Sequence, residues 1–127
     1  MKLEFLPNIN EYNDHVVRLY DFNSDQAKLF QKIIDELIAD STKQTDLSAL
    51  SFIEAINCKL ILRVADNDEG ITFNQNKTFF CDMTITGYSK MSKIVEPFCQ
   101  KETKGIQWLY DLDNPIDFLF SAGKTPQ

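Results

Sequence analysis

The chain is poor in the residues that mark most catalytic and metal sites. Its 127 residues hold one histidine, three cysteines, four glycines and four prolines. So few glycines and prolines leave little room for linkers, and no glycine-rich phosphate loop can be assembled from them. No apolar run approaches the ~20 residues that a membrane span needs. The start, MKLEFLPNINEYND, turns polar within seven residues, unlike a secretory leader. An odd number of cysteines with no close pair (Cys58, Cys81 and Cys99) is a poor disulfide framework. Free thiols in apolar runs suit a reducing compartment. These absences together predict a cytoplasmic protein that is not membrane-bound.

What is present is ordinary globular material. The hydrophobic share is 43% and the charged share 25%, which excludes a disordered chain. The length suits a single domain over 1–127, with 121–127 as a loose tail. Ten phenylalanines and an aromatic share of 12% favour strands. The net charge is −6. A field of that sign repels phosphate backbones and anionic lipid, so neither nucleic acid nor membrane is an expected partner. It is compatible with a basic protein partner.

Periodicity sets out the elements. Residues 2–6 and 15–22 read as strands. Asn23 with Gln26 has the spacing of a capping box, and Leu29, Phe30, Ile33, Ile34, Leu37 and Ile38 form one apolar stripe, predicting a helix over about 24–40. Residues 47–65 alternate with period two, broken near Glu54–Asn57, and predict two strands. Further strands are expected at 77–85, 106–112 and 116–121, the last two flanking Asp113-Asn114-Pro115, a hairpin-like turn signal. A helix is expected over about 88–101, kinked or divided at Pro97. Loose stretches are expected at 40–46 and 66–70. The order ββα–βββ–α–ββ predicts an α+β fold: a mostly antiparallel sheet of about six or seven strands, with two helices on one face.

The motifs that invite a function fail on spacing. Gly123-Lys124-Thr125 ends like a phosphate loop, but Phe118 stands where its leading glycine belongs, and no helix can follow. Asp66-Asn67-Asp68-Glu69-Gly70 opens like a calcium loop, yet positions six and twelve are Ile71 and Lys77. His15 with three scattered cysteines makes neither a zinc set nor a marked nucleophile pair. No catalytic residue, metal ligand or cofactor is therefore expected.

Candidate binding residues are those with an unusual placement. Glu54 falls on the apolar parity of its segment. It either points inward against Arg18 or Arg63, the only arginines, or is a turn residue facing water. Residues 88–104 carry Lys90, Lys93, Lys101 and Lys104 against Glu96 and Glu102, a net +2 on a chain of −6. Lys90 and Lys93 could form an anion or acidic-partner patch, or merely a solvated helix face. Trp108, Tyr110 and Leu112 share one parity; Phe118 and Phe120 share another. Each row is either core or an exposed aromatic surface for a partner. The reading that fits best is a non-catalytic protein-interaction or adaptor module that recognises a protein partner or itself as a homodimer. The alternatives are a small-molecule domain with an aromatic-lined pocket, with Arg63 or Tyr110 at its mouth, and a small carboxylate or Cys/His enzyme.

Overall fold

The computed structural model describes residues 1–7, 15–73, 75–110 and 116–123. Two strands open the chain, β1 (Lys2–Leu6) and β2 (His15–Tyr20), followed by helix α1 (Ser24–Ala39). The capping box forms: the Gln26 amide donates to Asn23 Oδ1 at 2.9 Å, and the Asn23 amide donates to Gln26 Oε1 at 3.1 Å. Glu102 adds a carboxylate at the same terminus, accepting from the Ser24 amide and hydroxyl. A negative charge is favourable there, because the first amides of a helix have no internal acceptor. Ala27, Phe30, Ile34 and Leu37 are the buried face.

Next come β3 (Gln44–Asp46), a single 3₁₀ turn (Leu47–Ala49), β4 (Glu54–Ala55), β5 (Lys59–Val64), β6 (Gly70–Phe73) and β7 (Thr78–Met83). Helix α2 (Ile85–Gln100), β8 (Ile106–Tyr110) and β9 (Ile116–Ser121) complete the order. The strands make two sheets, one ordered β4-β1-β2-β9-β8 and the other β3-β5-β7-β6. In each, a parallel pair lies inside: β2 beside β9, and β5 beside β7. The remaining pairs are antiparallel, except the short β1–β4 contact.

Period-two alternation gives each sheet an inner face. Leu3, Val17, Leu19, Phe118 and Phe120 supply it in the first sheet; Leu60, Leu62, Phe79, Cys81 and Ile71 supply it in the second. Both faces and both helices contribute to one buried cluster. The Phe5 and Phe79 rings meet across the sheets at 4.7 Å. The helices pack on each other, with Gln31 donating to the Ser92 carbonyl and the Ser92 hydroxyl to Asp35.

The α+β class agrees with the sequence pattern; in detail, the strands form two mixed sheets rather than one mostly antiparallel sheet. Period two shows that a segment is extended, but not which strands become neighbours. Residues 44–46 pair with β5 although they lie in a stretch expected to be loose. Residues 47–49, expected to be extended, form the 3₁₀ turn, capped by Asp46 accepting from the Ser48 amide. β6 follows the 66–70 turn and was not expected. Helix α2 continues through Pro97 to Gln100. Proline there sits in the last turn, where only one backbone bond is lost. Lys124 and Thr125 of the phosphate-loop-like tail, Leu112 and the 113–115 turn signal lie outside the described residues.

Candidate functional site

Helix α2 and strand β8 form the two walls of a cleft of about 240 Å3, lined by Asp68, Met83, Gly87, Lys90, Ile94, Trp108, Leu109 and Tyr110. Three residues singled out from sequence, Lys90, Trp108 and Tyr110, therefore meet at one place. Met83, Ile94 and Leu109 make its lining largely apolar, while Lys90 and Asp68 supply the charge.

The floor at the start of α2 is built by Asp68. Its Oδ1 accepts from the Thr84 amide and hydroxyl, both at 2.8 Å. Thr84 in turn caps α2, its hydroxyl accepting from the Gly87 amide at 3.0 Å. Thus the acidic turn 66–69 holds a helix terminus. The approach is close enough that a Cβ on Gly87 would collide with Asp68 Oδ1 and stand 2.9 Å from Met83 Cε. Gly87→Ala is expected to push Asp68 off Thr84 and to cost about 1–3 kcal/mol. Urea unfolding of the variant measures this; unchanged stability would mean that Asp68 moves aside freely. The other end of the turn is tied to the strand, since the Tyr110 hydroxyl donates to the Asp68 carbonyl at 2.9 Å.

β8 is the outermost strand of its sheet among the described residues. The Ala122 amide donates to the Gly105 carbonyl, which makes 105 and 122 a hydrogen-bonded pair. Pairs of this kind alternate in an antiparallel ladder, so Gln107–Phe120 is the next one. The N–H and C=O of Ile106 and Trp108 consequently point away from β9, toward the open side. A register shift falls between Trp108 and Tyr110. The extra residue, Leu109, is turned into the core at 5% exposure, while Ile106 and Trp108 keep 52% and 40%. This bulge resolves the two aromatic rows. Phe118 and Phe120 are fully buried, Tyr110 is half-buried, and Trp108 stands out with Ile106.

The remaining candidates are dispersed. Arg63 lies on β5 opposite Asp82 of β7 and grips it with two bonds of 2.7 Å, its guanidinium over the Phe80 ring. This pairing holds Arg63 above its ordinary pKa. Arg63 lines a polar hollow with Ser41, Thr42 and Lys43, remote in sequence from the Trp108 strand. Arg18 is buried and pairs with Glu4 across β1–β2, donating from Nε at 3.0 Å. Glu54 is exposed on β4, so the water-facing alternative describes it, and neither arginine is its partner. Lys93 is exposed on α2 and does not line the cleft. His15 has its ring 5.8 Å from that of Phe5. Cys58, Cys81 and Cys99 are free and buried, and burial pushes their thiols up to about 12, 12 and 11. No group of three potential metal ligands occurs among the described residues.

Sequence reading missed Asp68, Met83, Gly87, Ile94 and Leu109 as a set. One signal was available: Thr84 precedes an isolated glycine by three residues at the head of an apolar stripe. That spacing fits a capped first turn in which something approaches too closely for a side chain. No known protein family, curated protein or solved structure matches the chain.

Proposed function

We propose that this protein is a non-catalytic interaction module of one domain, which takes an extended segment of a protein partner along the open side of β8. One side chain of that segment would enter the cleft against α2. The observation that carries this reading is the outward row of N–H and C=O groups on Ile106 and Trp108, beside a lined cleft. Added strands gain affinity from such main-chain groups and specificity from pockets for alternate side chains. The exposed Ile106 and Trp108 side chains supply apolar surface for the same contact. Three free, buried thiols fit a reducing compartment such as the cytoplasm.

A volume of about 240 Å3 lies below the roughly 300–1,000 Å3 of ligand sites and suits one inserted side chain, whereas an apolar hollow of about 340 Å3 lined by Phe5, Phe73 and Phe79 is of ligand size. Asp68 is occupied in holding Thr84, which suits it to fixing the shape of the cleft rather than to exchanging protons.

Selection of random nine-residue peptides displayed on phage tests the proposal. Binders should shift the amide resonances of Ile106 and Trp108 together with those of residues 87–94. Selection that yields no binder, or shifts confined to other faces, would remove the support for a strand-receiving edge.

A further inference from the structure

Resting on that reading of the β8 edge, we infer that the segment it receives is β8 of a second copy of this chain, related by a two-fold axis at Gln107. Three features make the edge complementary to itself.

The first is the backbone. In an antiparallel pair centred on Gln107, Ile106 stands opposite Trp108 of the second copy, and Trp108 opposite its Ile106. These are the residues whose N–H and C=O groups point outward, so both pairs fall on hydrogen-bonded positions of the new ladder. Joining the edges would extend one five-stranded sheet into the other, and each copy would cover the other's open edge.

The second is side-chain packing. Ile106 and Trp108 project to the same face of β8, the face of Ser121 and Leu119, and are the exposed large apolar groups of the strand. The two-fold arrangement puts each isoleucine beside a tryptophan. This is the aromatic with β-branched pairing that stabilises cross-strand neighbours, and it occurs twice, as an isologous contact requires.

The third is charge. Five residues connect the end of α2 to the start of β8, so Lys101 and Lys104 lie at the Ile106 end. At the other end, the Tyr110 hydroxyl is bonded to the Asp68 carbonyl, which brings the exposed acidic turn of Asp66, Asp68 and Glu69 to that side. The two glutamates nearest the lysines do not cancel them. Glu102 is turned to the Ser24 terminus, and Glu96 lies nine residues from Gly87, on the opposite side of α2. An axis at Gln107 brings the Lys104 end of each copy to the Tyr110 end of the other, and so beside its acidic turn. Basic meets acidic at both ends.

The contact is a short strand on each side, so a concentration-dependent dimer is expected, with a dissociation constant on the order of micromolar. Sedimentation velocity of the whole chain over about 1 μM to 1 mM reads it. Trp108→Ala should weaken the dimer about tenfold or more, and Lys104→Glu should weaken it at low salt. Ile106→Pro removes a donor that β9 does not use, so it should abolish pairing while circular dichroism shows the fold retained. A wild-type chain that stays monomeric to 1 mM overturns the inference, as does a dimer indifferent to all three substitutions.

The displayed peptides separate the two levels. Peptides that bind 106–110 of a strictly monomeric chain would leave the strand-receiving edge standing and exclude self-pairing. Failure of both dimer and peptides would remove both. Peptides that bind the edge and dissociate the dimer are the expected result.

Discussion

Phe120→Ala should lower stability by about 3–5 kcal/mol, a loss comparable with much of the roughly 5–15 kcal/mol that holds a typical domain together. Phe120 lies on β9, fully buried, at the point where the first sheet meets both helices. Its ring centroid is 4.2 Å from Phe22, 5.5 Å from Phe30 of α1 and 4.9 Å from Phe98 of α2, the last edge-on. Three aromatic neighbours, from the β2–α1 connection, α1 and α2, cannot all move inward to fill the space, so most of the cavity would remain. For a chain of this length, the expected fall in Tm is roughly 10–20 °C. Phe120→Leu keeps most of the volume and should cost about 1.5 kcal/mol or less. Equal losses in the two variants, measured by thermal and urea unfolding, would show that the aromatic contacts and not the filled volume carry the effect.

Trp108 gives the contrast. It is larger than phenylalanine, but 40% of it is exposed on an edge strand, and its neighbour across the ladder is Leu119. Truncating it removes less buried area than truncating Phe120, so stability should fall by less, about 1–2 kcal/mol. Its larger effect should appear in association. The same residue class, on neighbouring strands of one ladder, should thus divide between folding and association according to which side of the sheet it faces.

That division marks how much the sequence could disclose. Helix α1 was legible to within a residue because two independent signals, the Asn23–Gln26 box and the apolar stripe, agree on its start and extent. β1 and β9 were legible for the same reason, with alternation bounded by turn residues. Local signals do not contain partner choice, so the parallel β2–β9 and β5–β7 pairs, which join strands distant in sequence, could not be read. The candidate site was half-visible. Lys90, Trp108 and Tyr110 drew notice separately, but their meeting depends on the chain turning at 101–105 and on the turn at Asp68. Parity alone could not decide whether Trp108 faced in or out. The bulge at Leu109 breaks the alternation, and a bulge leaves no mark where the extra residue is an ordinary leucine. Glu54 shows the converse: it kept the parity of its neighbours, but β4 ends after Ala55 at a sheet edge and the side chain meets water.

Raising the pH above 9 should unfold the protein through its thiols. Cys58, Cys81 and Cys99 are at most 7% exposed. Burial disfavours the thiolate and lifts them from an ordinary 9.0 to about 12, 12 and 11. Tyr88 moves the same way from 10.0, chiefly by burial; its hydroxyl lies 2.7 Å from the Cys81 carbonyl and 2.8 Å from the Arg63 carbonyl. Below pH 9 these groups are protonated in both folded and unfolded chains, and they contribute no slope. Between 9 and 11 the unfolded chain releases protons that the folded one keeps, so stability falls as pH rises. Each thiol removes up to about 1.4 kcal/mol per pH unit in that window, and three together about 4 kcal/mol. Two pH units are then enough to exhaust the stability of an ordinary domain. Urea unfolding at pH 8, 9, 10 and 11 should show a plateau followed by this decline. Cys58→Ala and Cys81→Ala should each flatten it by about a third between pH 9 and 10, before Tyr88 contributes. An undiminished slope in the double variant would assign alkaline unfolding to other groups. Slow reaction of the native thiols with a disulfide reagent at pH 8, followed by rapid reaction in urea, would show independently that folding shields them.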